Sequence, residues 1–139
     1  MLLREIGVIR SPYQNRKEAP RQWHLSDDIC TIEIYPEFVP GLYRIEEHKH
    51  LIVLYWLHLG VRETLQVHPR GQGELTGVFA TRSPDRPNPI GLSLVRLVER
   101  QEHILTVMGL DAIDGTPVID IKWADDEAIR HYQTYWQEK

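Results

Sequence analysis

Two arginines, an asparagine and three prolines share the run Gly77-Val78-Phe79-Ala80-Thr81-Arg82-Ser83-Pro84-Asp85-Arg86-Pro87-Asn88-Pro89-Ile90-Gly91-Leu92. Each proline fixes its own φ and holds its predecessor extended, so Arg86 and Asn88, each placed before a proline, lose most of their backbone freedom. A loop that only joins strands needs no such stiffening. A loop that must hold guanidiniums and an amide in place before a ligand arrives does. Arg82 follows a strand-like segment directly. A guanidinium anchored on rigid backbone grips a carboxylate or phosphate through two parallel N–H bonds, and a structural salt bridge is its competing use.

Three further groups bear chemistry. Pro20-Arg21-Gln22 lies in a polar stretch between the first two strand-like segments. His58 stands near the end of the apolar run that starts at Leu51, where a hydrogen-bonded structural histidine is the plainer reading. Asp111 to Gly115, followed by Thr116, Asp120 and Lys122, concentrates acids in an apolar neighbourhood. Asp114-Gly115 is also an ordinary hairpin turn pair. If Ile119 and Ile121 face a core, Asp120 faces the other side of its strand. The histidines show no ligand spacing and Cys30 is the single cysteine, so no metal is expected. No serine has a Gly-x-Ser-x-Gly context and no lysine a phosphate-loop spacing.

At 139 residues, 42% hydrophobic and 26% charged, the chain suits one soluble domain spanning residues 1–139. No apolar run reaches the roughly 20 residues of a membrane span, and the start lacks a signal-peptide core. A lone cysteine and no leader make the cytoplasm the expected location. The net charge of −4 is unevenly spread: residues 1–21 hold five Lys/Arg against two Asp/Glu, and residues 62–100 hold six against four. If the N-terminal arm and the Arg86 loop share a face, a basic patch forms on an acidic protein.

These groups need a scaffold. Ile6–Ile9, Ile29–Tyr35, Leu51–Leu59, Gly77–Thr81, Leu92–Val98, Ile104–Leu110 and Val118–Ile121 read as short strands, with Leu51–Leu59 apolar enough to be buried on both faces. A helical turn is expected around Pro40 to Glu47. A C-terminal helix over about 125–137 carries Ala128, Ile129, Tyr132, Tyr135 and Trp136 on one stripe. Many short strands with Gly/Pro punctuation predict a mainly β fold, a closed or nearly closed β-barrel over about 4–122. No Gly-x-Gly-x-x-Gly follows the first strand, which argues against a doubly wound nucleotide fold.

Together the motifs resemble the tRNA-methyltransferase O family, the TsaA-like β-barrel proteins. The resemblance rests on Ile6-Gly7-Val8-Ile9-Arg10-Ser11-Pro12-Tyr13, Pro20-Arg21-Gln22, the segment ending at His58, Gly77 to Ser93, and Leu110 to Lys122. It implies a single barrel, usually dimeric, that uses S-adenosyl-L-methionine to methylate N6 of threonylcarbamoyladenosine beside the anticodon of a threonine tRNA. By matched position it implies cofactor contacts from Arg21 and Gln22, from around His58, from Arg82 and Leu92, and from Ala112, Ile113, Asp114 and Gly115. The other readings are a methyltransferase of the same fold with another acceptor, and a cofactor- or RNA-binding module without turnover.

Methyl transfer from a sulfonium is an in-line displacement that needs alignment and exclusion of water. A fixed cation, Arg21 or Arg82, suits the cofactor carboxylate. The acceptor nitrogen gains from a base, for which Asp120 is the candidate, with Arg86 or Lys122 as its cationic complement. The proline-clamped Arg86-Pro87-Asn88-Pro89 is expected to meet the acceptor or a partner subunit. Two departures from the family pattern bear on tRNA contact: the chain resembles the shorter, barrel-only members, and Trp123-Ala124 follows Lys122 where Pro-Tyr is frequent.

Overall fold

The computed structural model describes residues 1–20, 27–127 and 129–131. Six antiparallel strands close a barrel in the order β1-β2-β7-β6-β3-β8, and β4 and β5 form a separate two-stranded ribbon. The strands are β1 Gly7–Arg10, β2 Ile29–Ile34, β3 His50–Trp56, β4 Gln66–Val67, β5 Thr76–Gly77, β6 Ile90–Gln101, β7 Ile104–Met108 and β8 Pro117–Trp123. Closure removes every free edge from the main sheet.

The barrel is filled by alternate residues. Ile9, Ile32, Leu51, Val53, Tyr55, Val95, Leu105, Val107 and Val118 are each at most 1% exposed. Alternation corrects one expectation: β3 is buried on one face only, with Leu51, Val53 and Tyr55 inside and Ile52, Leu54 and Trp56 half-buried. An apolar run in a small barrel also faces outward, and here that outer face is half-buried. β3 stops at Trp56, so His58 lies in the turn beyond it and is exposed.

β6 is long because it serves two neighbours. Ile90–Arg96 pairs with β3 and Arg96–Gln101 with β7, with a bulge at Val98 where the strand bends around the barrel. A second bulge, at Ile119, shifts β8 against β3, so that Leu54 faces Asp120 while Tyr55 faces Val118.

Gly77–Thr81 is not a strand. Only Thr76–Gly77 pairs, with β4, and Val78–Ala80 then forms a 3₁₀ turn. Val78 anchors that turn in the interior and leaves Phe79 81% exposed. The expected turn near Pro40 is two 3₁₀ segments, Pro36–Leu42 and Ile45–Glu47. Leu42 is buried there, and Phe38, Val39 and Ile45 pack on the core and plug one end of the barrel. Residues 126–127 and 129–131 are helical, with the Ile129 N–H donating to the Asp125 carbonyl at 2.9 Å. Ala128, Tyr132, Tyr135 and Trp136 lie outside the described residues.

Candidate functional site

The stiff loop is braced from inside and from outside. Arg86 donates to three backbone carbonyls, Val78 at 2.8 Å and Thr81 and Ser83 at 3.2 Å. Arg62, stacked on Trp56 with its guanidinium carbon 5.1 Å from the ring centroid, donates to the Pro87 carbonyl at 2.8 Å and to Asn88 Oδ1 at 3.2 Å. Asp85 accepts from the Val61 N–H at 2.9 Å and pairs through both oxygens with Arg16, at 3.2 and 3.3 Å. Burial alone would raise the Asp85 carboxyl, but the Val61 amide and Arg16 outweigh it and hold the group below the usual carboxylate range.

Arg86 thus staples its own loop. Of the two cations weighed as partners of Asp120, Lys122 has its Nζ 2.9 Å from Asp120 Oδ2. The N-terminal arm reaches the loop through the Arg16–Asp85 pair. Of the two loop arginines, Arg82 is the exposed one, and its Nη2 donates to the Leu92 carbonyl at 2.9 Å.

Beneath Arg82 lies a polar cluster. Tyr55 and Ser93 are buried on the inner faces of β3 and β6, and their hydroxyls lie 2.8 Å apart. Both converge on Oδ1 of Asp111: the Tyr55 hydroxyl through a short hydrogen bond, the Ser93 Oγ at 3.1 Å. Burial pushes the Asp111 carboxyl above its ordinary range, only partly offset by the two hydroxyls and the Arg82 charge. Burial, and then the Asp111 charge, push the Tyr55 phenol upward as well.

Asp111 opens the turn that carries Ala112, Ile113, Asp114 and Gly115. That turn is pinned to the chain leaving β1. Ser11 Oγ donates to the Ala112 carbonyl at 2.7 Å and the Ser11 N–H to Asp114 Oδ1 at 3.1 Å. The Asp114 N–H donates to the Tyr13 carbonyl at 2.7 Å and the Gly115 N–H to the Ile9 carbonyl at 2.8 Å.

The structure therefore brings Arg82, Leu92 and the Ala112–Gly115 turn to one end of the barrel. The turn holding His58 is tied to the same loop, because the Leu57 N–H donates to the Pro89 carbonyl at 2.7 Å. Arg21 and Gln22 lie outside the described residues. Asp120 stands on the outer face in one cross-strand row with Leu54 and Leu92. Two strand spacings separate Asp120 from Leu92, about 10 Å. Lys122 occupies the next outward position of β8, opposite Ile52.

A pocket of about 640 Å³ lies at the plugged end, between Ile6, Ile34, Leu51, Ile121 and Trp123. It contains Asp120 but none of the Arg82, Leu92 and Asp111 group. Among the described residues no three His, Cys, Asp or Glu side chains converge on a metal position. Burial, and then the Asp28 charge, push the Cys30 thiol up to about 11, which disfavours the thiolate.

Sequence reasoning left Asp111 without a role and did not select Tyr55 or Ser93. The available signal was polarity out of place: a hydroxyl at the fifth position of Leu51–Leu57, and another between Leu92 and Leu94.

A six-stranded antiparallel closed barrel with a loop-borne polar cluster at one end defines a class of small β-barrel proteins. Within that class the chain belongs to the tRNA-methyltransferase O family: residues 8–124 match the model of the tRNA-methyltransferase O N-terminal domain. It is 50% identical over 122 residues to an S-adenosyl-L-methionine-binding protein of Archaeoglobus fulgidus, covering 88% of each chain. It is 57% identical over 120 residues to a probable S-adenosyl-L-methionine-binding protein of the same organism, covering 86% of this chain but 33% of that one. With the tRNA (adenine(37)-N6)-methyltransferase of Escherichia coli it shares 42% identity over 130 residues, 85% of this chain and 55% of that enzyme. Crystal structures of TrmO superpose on 92% of the chain, one with TM-score 0.77 at 37% identity and one from Pseudomonas aeruginosa with 0.76 at 35%. The chain spans 57 to 59% of those crystallised chains.

Proposed function

We propose that this chain is the barrel of an S-adenosyl-L-methionine-dependent tRNA methyltransferase, acting on N6 of threonylcarbamoyladenosine beside the anticodon of threonine tRNA. One observation carries the reading: Arg82, Leu92, Asp111 and the Ala112–Gly115 turn converge at one end of the barrel. That set matches the cofactor part by part. Arg82 offers an exposed cation for a carboxylate, Leu92 an apolar surface for a base or ribose, and Asp111 a negative charge for a cationic centre. When bound, S-adenosyl-L-methionine supplies the methyl group and the positive sulfur that makes it transferable.

Asp120 is the proposed base, taking the proton from the acceptor nitrogen, and Lys122 holds its carboxylate oriented. Its place in the Leu92 row supports this, because a ligand lying over Leu92 and Leu54 reaches toward Asp120. Arg21, Gln22 and His58 complete the proposed cofactor contacts. The exposed apolar side chains Leu65, Leu75, Phe79 and Ile90 favour a homodimer. Among the described residues no helix is long and apolar enough to cross a membrane, and the cytoplasm is the proposed location.

Purified protein, S-adenosyl-L-methionine and tRNA carrying threonylcarbamoyladenosine are incubated, and the nucleosides are analysed by mass spectrometry. Appearance of the methylated nucleoside is the expected result. Cofactor binding in calorimetry with no methylated product from any tRNA supports the second reading, a binding module, which the names of the two Archaeoglobus relatives favour.

A further inference from the structure

Arg62 differs from Arg10, Arg16, Arg44 and Arg100, each of which meets a carboxylate. Its hydrogen bonds end on uncharged oxygens, the Pro87 carbonyl at 2.8 Å through Nε and Asn88 Oδ1 at 3.2 Å through Nη2. Such bonds orient a guanidinium without cancelling its charge. The guanidinium carbon lies 5.1 Å from the Trp56 ring centroid and the residue is exposed, so one face of the cation rests on an indole and the other meets solvent. The bond to Asn88 also settles the amide. A guanidinium has only donors, so the exposed Asn88 carboxamide turns its oxygen toward Arg62 and its NH2 away. Trp56 pairs with Ile90, and Leu54 with Leu92. The strand positions beside Arg62 therefore lie one outward step, about 7 Å, beyond the Leu92 row.

A planar cation with an open face, beside a fixed NH2 donor, has the chemistry that takes a nucleotide. Base rings stack on guanidinium planes, and base edges and phosphates accept hydrogen bonds. Paired bases keep their faces inside the helix, so the fit is to an unpaired nucleotide. We propose that Trp56, Arg62 and Asn88 form a docking site for one unpaired nucleotide of the RNA substrate, outside the methyl acceptor. Its base stacks on the outer face of the Arg62 guanidinium, which Trp56 backs, and Asn88 Nδ2 donates to its edge or its phosphate. The proposal rests on the RNA reading above. It adds Trp56 and Arg62, which neither spacing nor matched position selects, and it gives the Asn88 amide a direction.

Fluorescence anisotropy with a labelled tRNA anticodon stem-loop, and with a fully paired duplex of the same stem, tests this on the whole chain. Two variants isolate the two contacts. Arg62→Lys keeps the charge and loses the plane. Asn88→Asp keeps an oxygen facing Arg62 and replaces the donor with an acceptor. Each is expected to lower affinity for the stem-loop by about tenfold, the size usual for losing one stacked base. Binding of the duplex by Arg62→Lys should stay unchanged, and so should the affinity of both variants for S-adenosyl-L-methionine in calorimetry. Stem-loop affinity within about twofold of wild type in either variant overturns the proposal. So does an equal loss of stem-loop and duplex binding by Arg62→Lys, which would mean a contact blind to unpaired bases. A parallel loss of cofactor affinity would make Arg62 a brace of the loop and nothing more, and also overturns it. Circular dichroism checks folding. If Arg62→Lys does not fold, Asn88→Asp decides, because it retains the brace. A wild type that binds the cofactor but neither stem-loop nor intact tRNA removes the RNA reading itself, which is a separate result.

Discussion

At the scale of single residues, the site depends on where one tyrosine ring lies. Gly91 sits opposite Tyr55 in the β3–β6 ladder, and a methyl group there would overlap the ring at Cε2 and come within 2.8 Å of Cδ2 and Cζ. Tyr55 is 1% exposed and has nowhere to go. Gly91→Ala is therefore expected to lower stability by about 1–3 kcal/mol through overpacking, and to weaken cofactor binding by pushing the hydroxyl off Asp111. Chemical denaturation and calorimetry measure both, and a variant as stable as wild type would contradict the packing argument. Tyr55→Phe removes a donor without changing volume. It should cost roughly 1–3 kcal/mol, as expected when a buried acceptor loses a partner. These residues were hard to see in the sequence because their meaning is mutual. Tyr55, Gly91, Ser93 and Asp111 are ordinary one at a time, and only the register places them together. Arg82 stood out because it follows a strand-like segment directly and rigid sequence comes after it, whereas Leu92 entered through the family resemblance alone.

At the scale of elements, the loop from Val78 to Pro89 is held by what it touches as much as by its prolines. Gly60 packs so closely against Pro84 that an added Cβ would meet the Pro84 carbonyl, which fastens the turn after β3 to the loop. Asp85 fastens both to Arg16. Its folded-state pKa is depressed below the unfolded value of about 3.9. The stability it contributes is therefore present above that value and is lost as pH falls through the folded pKa. Wild type should melt above Asp85→Asn near neutral pH, and the gap should narrow once pH falls below about 5 and vanish below the depressed folded pKa. Melting curves across that range test this, and a gap independent of pH would sink it. Stiffness was legible in Pro84, Pro87 and Pro89, but its agents were not. Arg62, Val61 and Arg16 lie far from the loop in sequence, and Arg86 showed its charge without showing that three carbonyls absorb it. The strand pattern was legible wherever alternation was strong, as in Ile29–Ile34. It misled at Gly77–Thr81, where β-prone residues form a 3₁₀ turn because Val78 must point inward.

At the scale of the whole molecule, the barrel is closed unevenly. β3 and β6 share seven paired positions, whereas β1 and β8 share two, Gly7 with Val118 and Val8 with Pro117. Proline 117 brings no N–H to that ladder. Beyond the ladder the seam gains the bonds from the Ile6 N–H to the Val118 carbonyl and from the Ile9 N–H to the Thr116 carbonyl, each 2.9 Å, and from the Gly115 N–H to the Ile9 carbonyl at 2.8 Å. Regions with few ladder bonds open first, while the best-paired strands exchange only on global unfolding. Hydrogen exchange is thus expected to be fastest, within the barrel, at the amides of β1 and the start of β8, and slowest along β3 and Leu92–Val95. The seam adjoins the site. Ile9, Ser11 and Tyr13, which leave β1, hold the Ala112–Gly115 turn in place. A ligand that orders this turn must also order the seam, by linkage. Saturating S-adenosyl-L-methionine should slow exchange at Ile9 and Thr116 by more than at Val53 in β3, under conditions where exchange occurs through local opening. Equal slowing throughout would mean that binding stabilises only the global fold. No slowing at the seam would separate the turn from the closure of the barrel.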